Sequence, residues 1–175
     1  MKYYLMNWEE SGNPVPRIRN WSKQLDYHAV QKRQFDCLPN RSILHIEENP
    51  HTVFADLIET PFLLMSEMVW DVAKTYGACT KGRQMVLLDG VNGFAEIYYM
   101  PLLKPCSCLS ESTVFNNDHS VIHRLVMDKK KEKQWLPVFR VAEMEKDYVI
   151  GRLDFVESIL RRGAKGIRLT ELVVE

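Results

Sequence analysis

Cys106, Cys108, His119 and His123 are the residues of this chain whose types and spacing come nearest to a chemical site. Two thiolates and two imidazoles could hold a tetrahedral zinc ion. The spacing fits that role poorly: one residue separates the cysteines, ten precede His119, and three separate the histidines. A zinc finger leaves about two to four residues between its cysteines and carries its histidines on a helix. Here "HSVIHRLVM" reads as a strand. The same residues offer a second chemistry, a Cys108 nucleophile activated by His119 or His123, but no nucleophile signature surrounds the cysteine. The plain alternative is two packing thiols and two half-exposed strand histidines. We therefore expect no metal and no cofactor.

A second candidate runs from Asp154 to Leu169, "DFVESILRRGAKGIRL". Two arginines and two glycines around a lysine suggest a phosphate loop. The local pattern favours a helix ending. Phe155, Val156, Ile159 and Leu160 predict a buried stripe, Asp154 an N-cap, and Glu157 the partner of a capping-box-like pair. Arg161 and Arg162 then fall in the last turn, beside the partial negative charge of the helix C-terminus, and Gly163 stops the helix. Phosphates bind at the opposite end, where free N–H groups point outward. The glycine spacing also fails the phosphate-loop pattern.

Carboxylates at Glu47, Glu48, Asp56 and Glu59 show no pairing that marks a general acid and base. The serine-hydrolase elbow, the dinucleotide fingerprint and the metalloprotease helix motif are all missing. Nothing positive supports an enzyme. The run "KKKEK", Lys129 to Lys133, reads as a solvated turn rather than a nucleic-acid contact.

The elements that would position these residues follow from periodicity. Tyr3 to Met6 and Ser42 to Ile46 predict strands. Asn20 to Phe35 is ambiguous, with Asn20 a possible cap. From Ser66 a helix is expected, with Met68, Val69, Val72, Ala73 and Tyr76 on one stripe and Gly77 beyond its end. Trp70 lies off that stripe, on the face of Lys74. It is either an exposed interface anchor or covered by a neighbouring element. "QMVLLDGVNGFAEIYYMPLL" predicts a hairpin. A second hairpin is expected from "SVIHRLVM" through "DKKKEK" to "LPVFRV". Tyr148 to Ile150 and "GIRLTELVV" complete the strands. Met68, Val69, Val72 and Ala73 map onto Phe155, Val156, Ile159 and Leu160 at a constant offset, which two helices packed on a sheet explain as well as a repeat.

At 175 residues the chain has the length of one domain and can bury a core without disulfide or metal staples. Lys+Arg and Asp+Glu both total 23, a balance that argues against a dedicated nucleic-acid binder. The N-terminal stretch reads as neither a signal peptide nor a membrane span. A cytoplasmic location is expected, with reduced cysteines and with Cys37 and Cys79 isolated and buried.

"LDFVESILRRGAKGIRLTEL", "FADLIETPFLLMSEMVWDVAKTYG" and the opening "MKYYLMN" together resemble the immunity proteins of bacterial polymorphic toxin systems, closest to the families numbered forty-three and eleven. The matching residues are Asp56, Pro61, Ser66 and Glu67 upstream, with Glu157, Ser158, Gly163 and Gly166 downstream. The resemblance implies a small cytosolic α+β protein that neutralises a cognate secreted toxin by direct stoichiometric binding. It covers 53–175; the N-terminal stretch 1–52 is more variable, and 26–49 is where partner specificity would lie. The expected fold is one α+β domain over 1–175, a largely antiparallel sheet with two main helices packed on it. The expected partner is the toxin domain, with no membrane and no direct nucleic acid. Glu47, Glu48, Asp56, Glu59 and Trp70 are the candidate contact residues, the carboxylates forming an acidic face toward a basic toxin. Two other readings stay open: a small cysteine-dependent hydrolase or transferase built on Cys108, and a regulatory or scaffold binding module.

Overall fold

Period-two alternation in β1 (Tyr3–Trp8) sends Tyr3 and Leu5 to one side and Tyr4 and Met6 to the other, and hydrophobic partners cover both sides. The computed structural model describes residues 1–9, 12, 14–79 and 81–175. After β1 come α1 (Tyr27–Gln31), β2 (Arg41–His45), β3 (Leu57–Ile58), β4 (Leu64–Ser66) and α2 (Glu67–Thr75). The long hairpin β5 (Gly82–Asp89) and β6 (Phe94–Pro101) is followed by β7 (Pro105–Cys106), β8 (Val114–Phe115), β9 (Ile122–Arg124) and β10 (Val126–Met127). The chain then runs through β11 (Val138–Val141), β12 (Val149–Arg152), α3 (Leu153–Arg161), β13 (Ile167–Glu171) and β14 (Val173–Val174).

The fold is a single α+β domain with mostly antiparallel strands. The strands divide over two five-stranded sheets, ordered β13-β1-β12-β11-β7 and β2-β5-β6-β4-β3, and two short ribbons, β8-β9 and β10-β14. Among the described residues, three pairings are parallel: β2 with β5, β7 with β11, and β10 with β14. The two main helices lie between the sheets. One core joins Met6, Val138 and Val149 of the first sheet, Leu57 and Met65 of the second, Val69 and Ala73 of α2, and Phe155 and Ile159 of α3. A second core packs α1 against the opposite face of β2, β5 and β6, and a third fills the far side of the first sheet. Among the described residues, no helix is long and apolar enough to cross a membrane.

Most expected elements are present, and several details differ. The second hairpin does not form. Ile122–Arg124 pairs with β8, Val126–Met127 pairs with β14, and Lys129–Gln134 is a 3-10 helix capped by Asp128, whose carboxylate accepts from Lys130 N. Non-local pairing partners decided this, and they leave no local signature in sequence. In α3, Phe155, Val156 and Ile159 are buried, but Leu160 is 47% exposed. Asp154 sits inside the first turn rather than at the N-cap, where its carboxylate takes two hydrogen bonds from Arg152 at 2.8 and 2.7 Å. Cys37 is exposed, in contrast to the expectation; Cys79 is buried.

Candidate functional site

Cys108 is fully buried in the third core, and burial pushes its thiol up to about 12. Such a thiol carries almost no thiolate at neutral pH and makes a poor nucleophile. Cys106, also buried, is raised for the same reason. His119 occupies a left-handed turn with φ 57° and rests on the Phe115 ring, while His123 lies exposed on β9. Among the described residues, no group of three or more His, Cys, Asp or Glu side chains is arranged to hold a metal ion. At the end of α3, Arg161 pairs with Glu157 at 3.3 Å, and Arg162 donates to Ser158 O at 2.8 Å and Ser158 Oγ at 2.7 Å. The basic run closes a helix.

The five candidate contact residues do different jobs. Glu47 is exposed, and Glu48 is exposed and paired with Arg19 at 3.3 Å. Asp56 is half-buried and accepts from Ser66 Oγ and Lys165 N. Glu59 accepts from Trp8 N at 3.0 Å and Asn7 Nδ2 at 3.2 Å. Trp70 is buried, stacked on Tyr99 with centroids 5.2 Å apart, so it is a core residue rather than an exposed anchor. Trp70 sits off the helix stripe because α2 is covered on a second side, by the end of β6.

A concave surface lies elsewhere, where α1 meets the turn between β11 and β12. This cleft encloses about 770 Å³ and is lined by Trp21, Tyr27, Phe62, Arg33 and 145–147, with Glu59 and Pro61. A neighbouring depression of about 770 Å³, lined by Trp8, Pro14, Pro16 and Arg17, shares Trp21 and Pro61 with it. Trp21 therefore stands as a ridge between two hollows.

Local sequence explains the placement. Asp26 caps α1, its carboxylate accepting from Ala29 N at 3.0 Å. Asn20 makes no such cap; it takes a left-handed φ of 44° and leads into a 3-10 turn that carries Trp21. Trp21 stacks on Tyr27 at 5.6 Å and meets the edge of Phe62 at 5.2 Å. Tyr27 remains 45% exposed. Arg83 fastens the segment after α1 to the sheet, its Nε donating to Phe35 O at 2.9 Å and Leu38 O at 3.1 Å. Just past α1, Arg33 has φ 54° and reaches to the turn before β12, donating to Glu145 O and Asp147 Oδ1, both at 2.7 Å. A left-handed arginine costs on the order of 1 kcal/mol, which these charge-assisted bonds across the cleft offset.

The exposed Tyr27 ring, stacked on a half-buried Trp21, beside charged cleft residues forms a surface suited to protein recognition. Sequence reasoning placed specificity in 26–49 but did not pick out Trp21, Tyr27 or Phe62. The signal within reach was three aromatics flanking a weakly amphipathic segment. Comparisons with protein families and with curated proteins found no match.

Proposed function

We propose that this chain is an immunity-type protein, which neutralises a cognate toxin domain by direct, stoichiometric binding and does no covalent chemistry of its own. The single observation that carries the reading is the cleft beside Trp21: an exposed Tyr27 stacked on the half-buried Trp21, at a junction held by charged hydrogen bonds. Stacked rings supply large contact area at low entropic cost on binding. Motif residues behind the resemblance have framework roles, as Asp56, Ser66 and Gly166 illustrate, while the recognition surface joins Trp21 and Tyr27 of the variable N-terminal region to Phe62 and 145–147. That division suits a family that keeps one scaffold and changes its partner. A cytoplasmic site of action belongs to the same proposal.

The test is co-expression. The C-terminal domain of a secreted protein encoded directly upstream is expressed in bacteria with and without this chain. Protection that disappears in a Trp21→Ala, Tyr27→Ala double variant of unchanged stability supports the reading. Toxicity undiminished by the wild-type chain refutes it.

A further inference from the structure

One edge of the second sheet is only half covered. β2 is the outer strand there, and two bonds to β5, Gln84 N to Asn40 O and Ile46 N to Leu88 O, fix which way its backbone points. Along a strand, one residue directs both its N–H and its C=O to the parallel neighbour, and the next directs both away. Ser42 and Leu44 therefore face β5, while Arg41, Ile43 and His45 face outward. The segment 17–19 occupies one end of that edge. Arg19 N donates to His45 O and Glu47 N to Arg17 O, both at 2.8 Å, with Ile18 bridged antiparallel to Ile46. The cover stops there, because Asn20 turns away with φ 44° and leads to Trp21. Among the described residues, no hydrogen bond engages the backbone N–H and C=O of Arg41 and Ile43 on this side. The side chains beside them are apolar. Register sets Ile43, Val86 and Ile97 in one row across β2, β5 and β6. Trp70 of α2 covers the same face at Tyr99, but Ile43 stays 53% and Ile97 39% exposed.

We infer that the outer edge of β2 is a strand-addition site: an extended segment of the toxin domain takes the strand position that 17–19 begins, pairs with Arg41 and Ile43, and sets an apolar side chain next to Ile43. This rests on the binding function proposed above and adds the form of the partner segment. Open N–H and C=O groups at alternate residues along one side of a strand match another extended backbone and no other regular structure. The added side chain lengthens the Ile43–Val86–Ile97 row by one member. A second copy of this chain fits the edge badly. The antiparallel register that clears 17–19 opposes Arg41 to Arg41 of the other copy and Ile43 to Pro39, which has no N–H to give. A charge and a proline at these places guard an edge against self-pairing. So short a contact also falls below the roughly 800 Å² per partner that a stable dimer buries. A toxin segment escapes that limit, because the chain that borders the open edge runs through Asn20 to Trp21, and the edge is continuous with the cleft.

The experiment measures binding of the purified upstream-encoded toxin domain to the wild-type chain and to Ile43→Pro, Ile43→Lys and Val114→Lys variants. Amide hydrogen exchange is read on the free chain and on the wild-type complex. Ile43→Pro deletes an N–H that the free protein leaves open, so it removes a bond to the added strand and none within the fold. Ile43→Lys keeps the N–H and removes the apolar side chain. Val114, exposed on the β8–β9 ribbon, serves as the control. Ile43→Pro should weaken binding about tenfold or more, Ile43→Lys about threefold, and Val114→Lys should bind as wild type. The Arg41 and Ile43 amides should exchange rapidly in the free chain and become protected in the complex. Should Ile43→Pro fail to fold, protection of those two amides decides the matter. Tight wild-type binding that leaves them unprotected, or that Ile43→Pro does not weaken, overturns the inference and leaves the binding function standing. So does a dimer of the free chain, seen by sedimentation, that Ile43→Pro dissociates. Absence of wild-type binding overturns the function itself.

Discussion

Asp56 joins two segments far apart in sequence: one carboxylate oxygen accepts from Ser66 Oγ at 2.5 Å and the other from Lys165 N at 2.6 Å. Ser66 in turn caps α2, its Oγ accepting from Val69 N at 3.4 Å. One side chain thus fixes the start of α2 and the turn after α3. Replacing Asp56 with alanine removes both bonds and leaves Ser66 Oγ and Lys165 N without that acceptor. We expect a loss of about 2–4 kcal/mol, read from urea unfolding; a loss under about 0.5 kcal/mol would show the link to be incidental.

Gly163 and Gly166 flank the same turn, and both have positive φ, 80° and 67°. They differ in surroundings. A Cβ at Gly163 meets open space, whereas one at Gly166 would fall 2.5 Å from Ala55 Cβ. Gly163→Ala carries only the left-handed penalty of about 1–2 kcal/mol. Gly166→Ala adds the cost of moving backbone, for a total of about 3 kcal/mol or more. Thermal melts of the two variants should separate in that order, and equal melting temperatures would contradict the packing.

The buried thiols make a pH prediction. Cys79 and Cys108 are both pushed up to about 12 by burial, from an ordinary value of 9.0. Between those values the unfolded chain releases protons that the folded chain keeps. The stabilisation is complete below about pH 9 and is lost as the pH rises toward 12. Urea unfolding across that range should show the decline, and a Cys79→Ala, Cys108→Ala variant should show a shallower one. At neutral pH, iodoacetamide should modify only the exposed Cys37 in the folded protein. Rapid labelling of Cys108 would revive a nucleophilic role.

Two tryptophans should respond in opposite ways. Trp70→Ala opens a cavity under Tyr99 and Gly82 and should cost about 3–5 kcal/mol of stability. Trp21→Ala removes a half-exposed ring and should cost about 1 kcal/mol, with its main effect on binding. The measurement is chemical denaturation beside toxin binding for each variant.

The framework was legible in sequence because its signals are local. Ser66 and the apolar stripe of Val69, Val72 and Ala73 marked α2; Asp89 and the following glycines marked the β5–β6 turn. Asp89 confirms the chemistry of that turn, accepting from Asn92 N and Nδ2, Asn49 N and Val91 N, bonds that hold its carboxyl below the ordinary range. What stayed hidden depends on distant partners. Lys129–Gln134 became a 3-10 helix because β10 pairs with the C-terminal strand β14 rather than with β11. Leu160 is exposed because α3, packed between sheets, reaches the end of its cover there. The cleft was hidden for the same reason: Arg33 and Asp147 are 114 positions apart, and no periodicity links them. Surface charge misled in a further way. Asp56 and Glu59 read as free carboxylates, but the backbone N–H groups of Lys165 and Trp8 had already claimed them.

The central claim is inhibition by occupancy, and titration tests it most directly. A fixed amount of the upstream-encoded toxin domain is mixed with increasing amounts of this chain, and residual toxin activity is followed. The account predicts a linear fall that ends at one molar equivalent, with intact toxin recovered when the complex is dissociated. Inactivation at a small fraction of an equivalent, with the toxin covalently altered, would contradict it, as would full activity in the presence of excess folded protein.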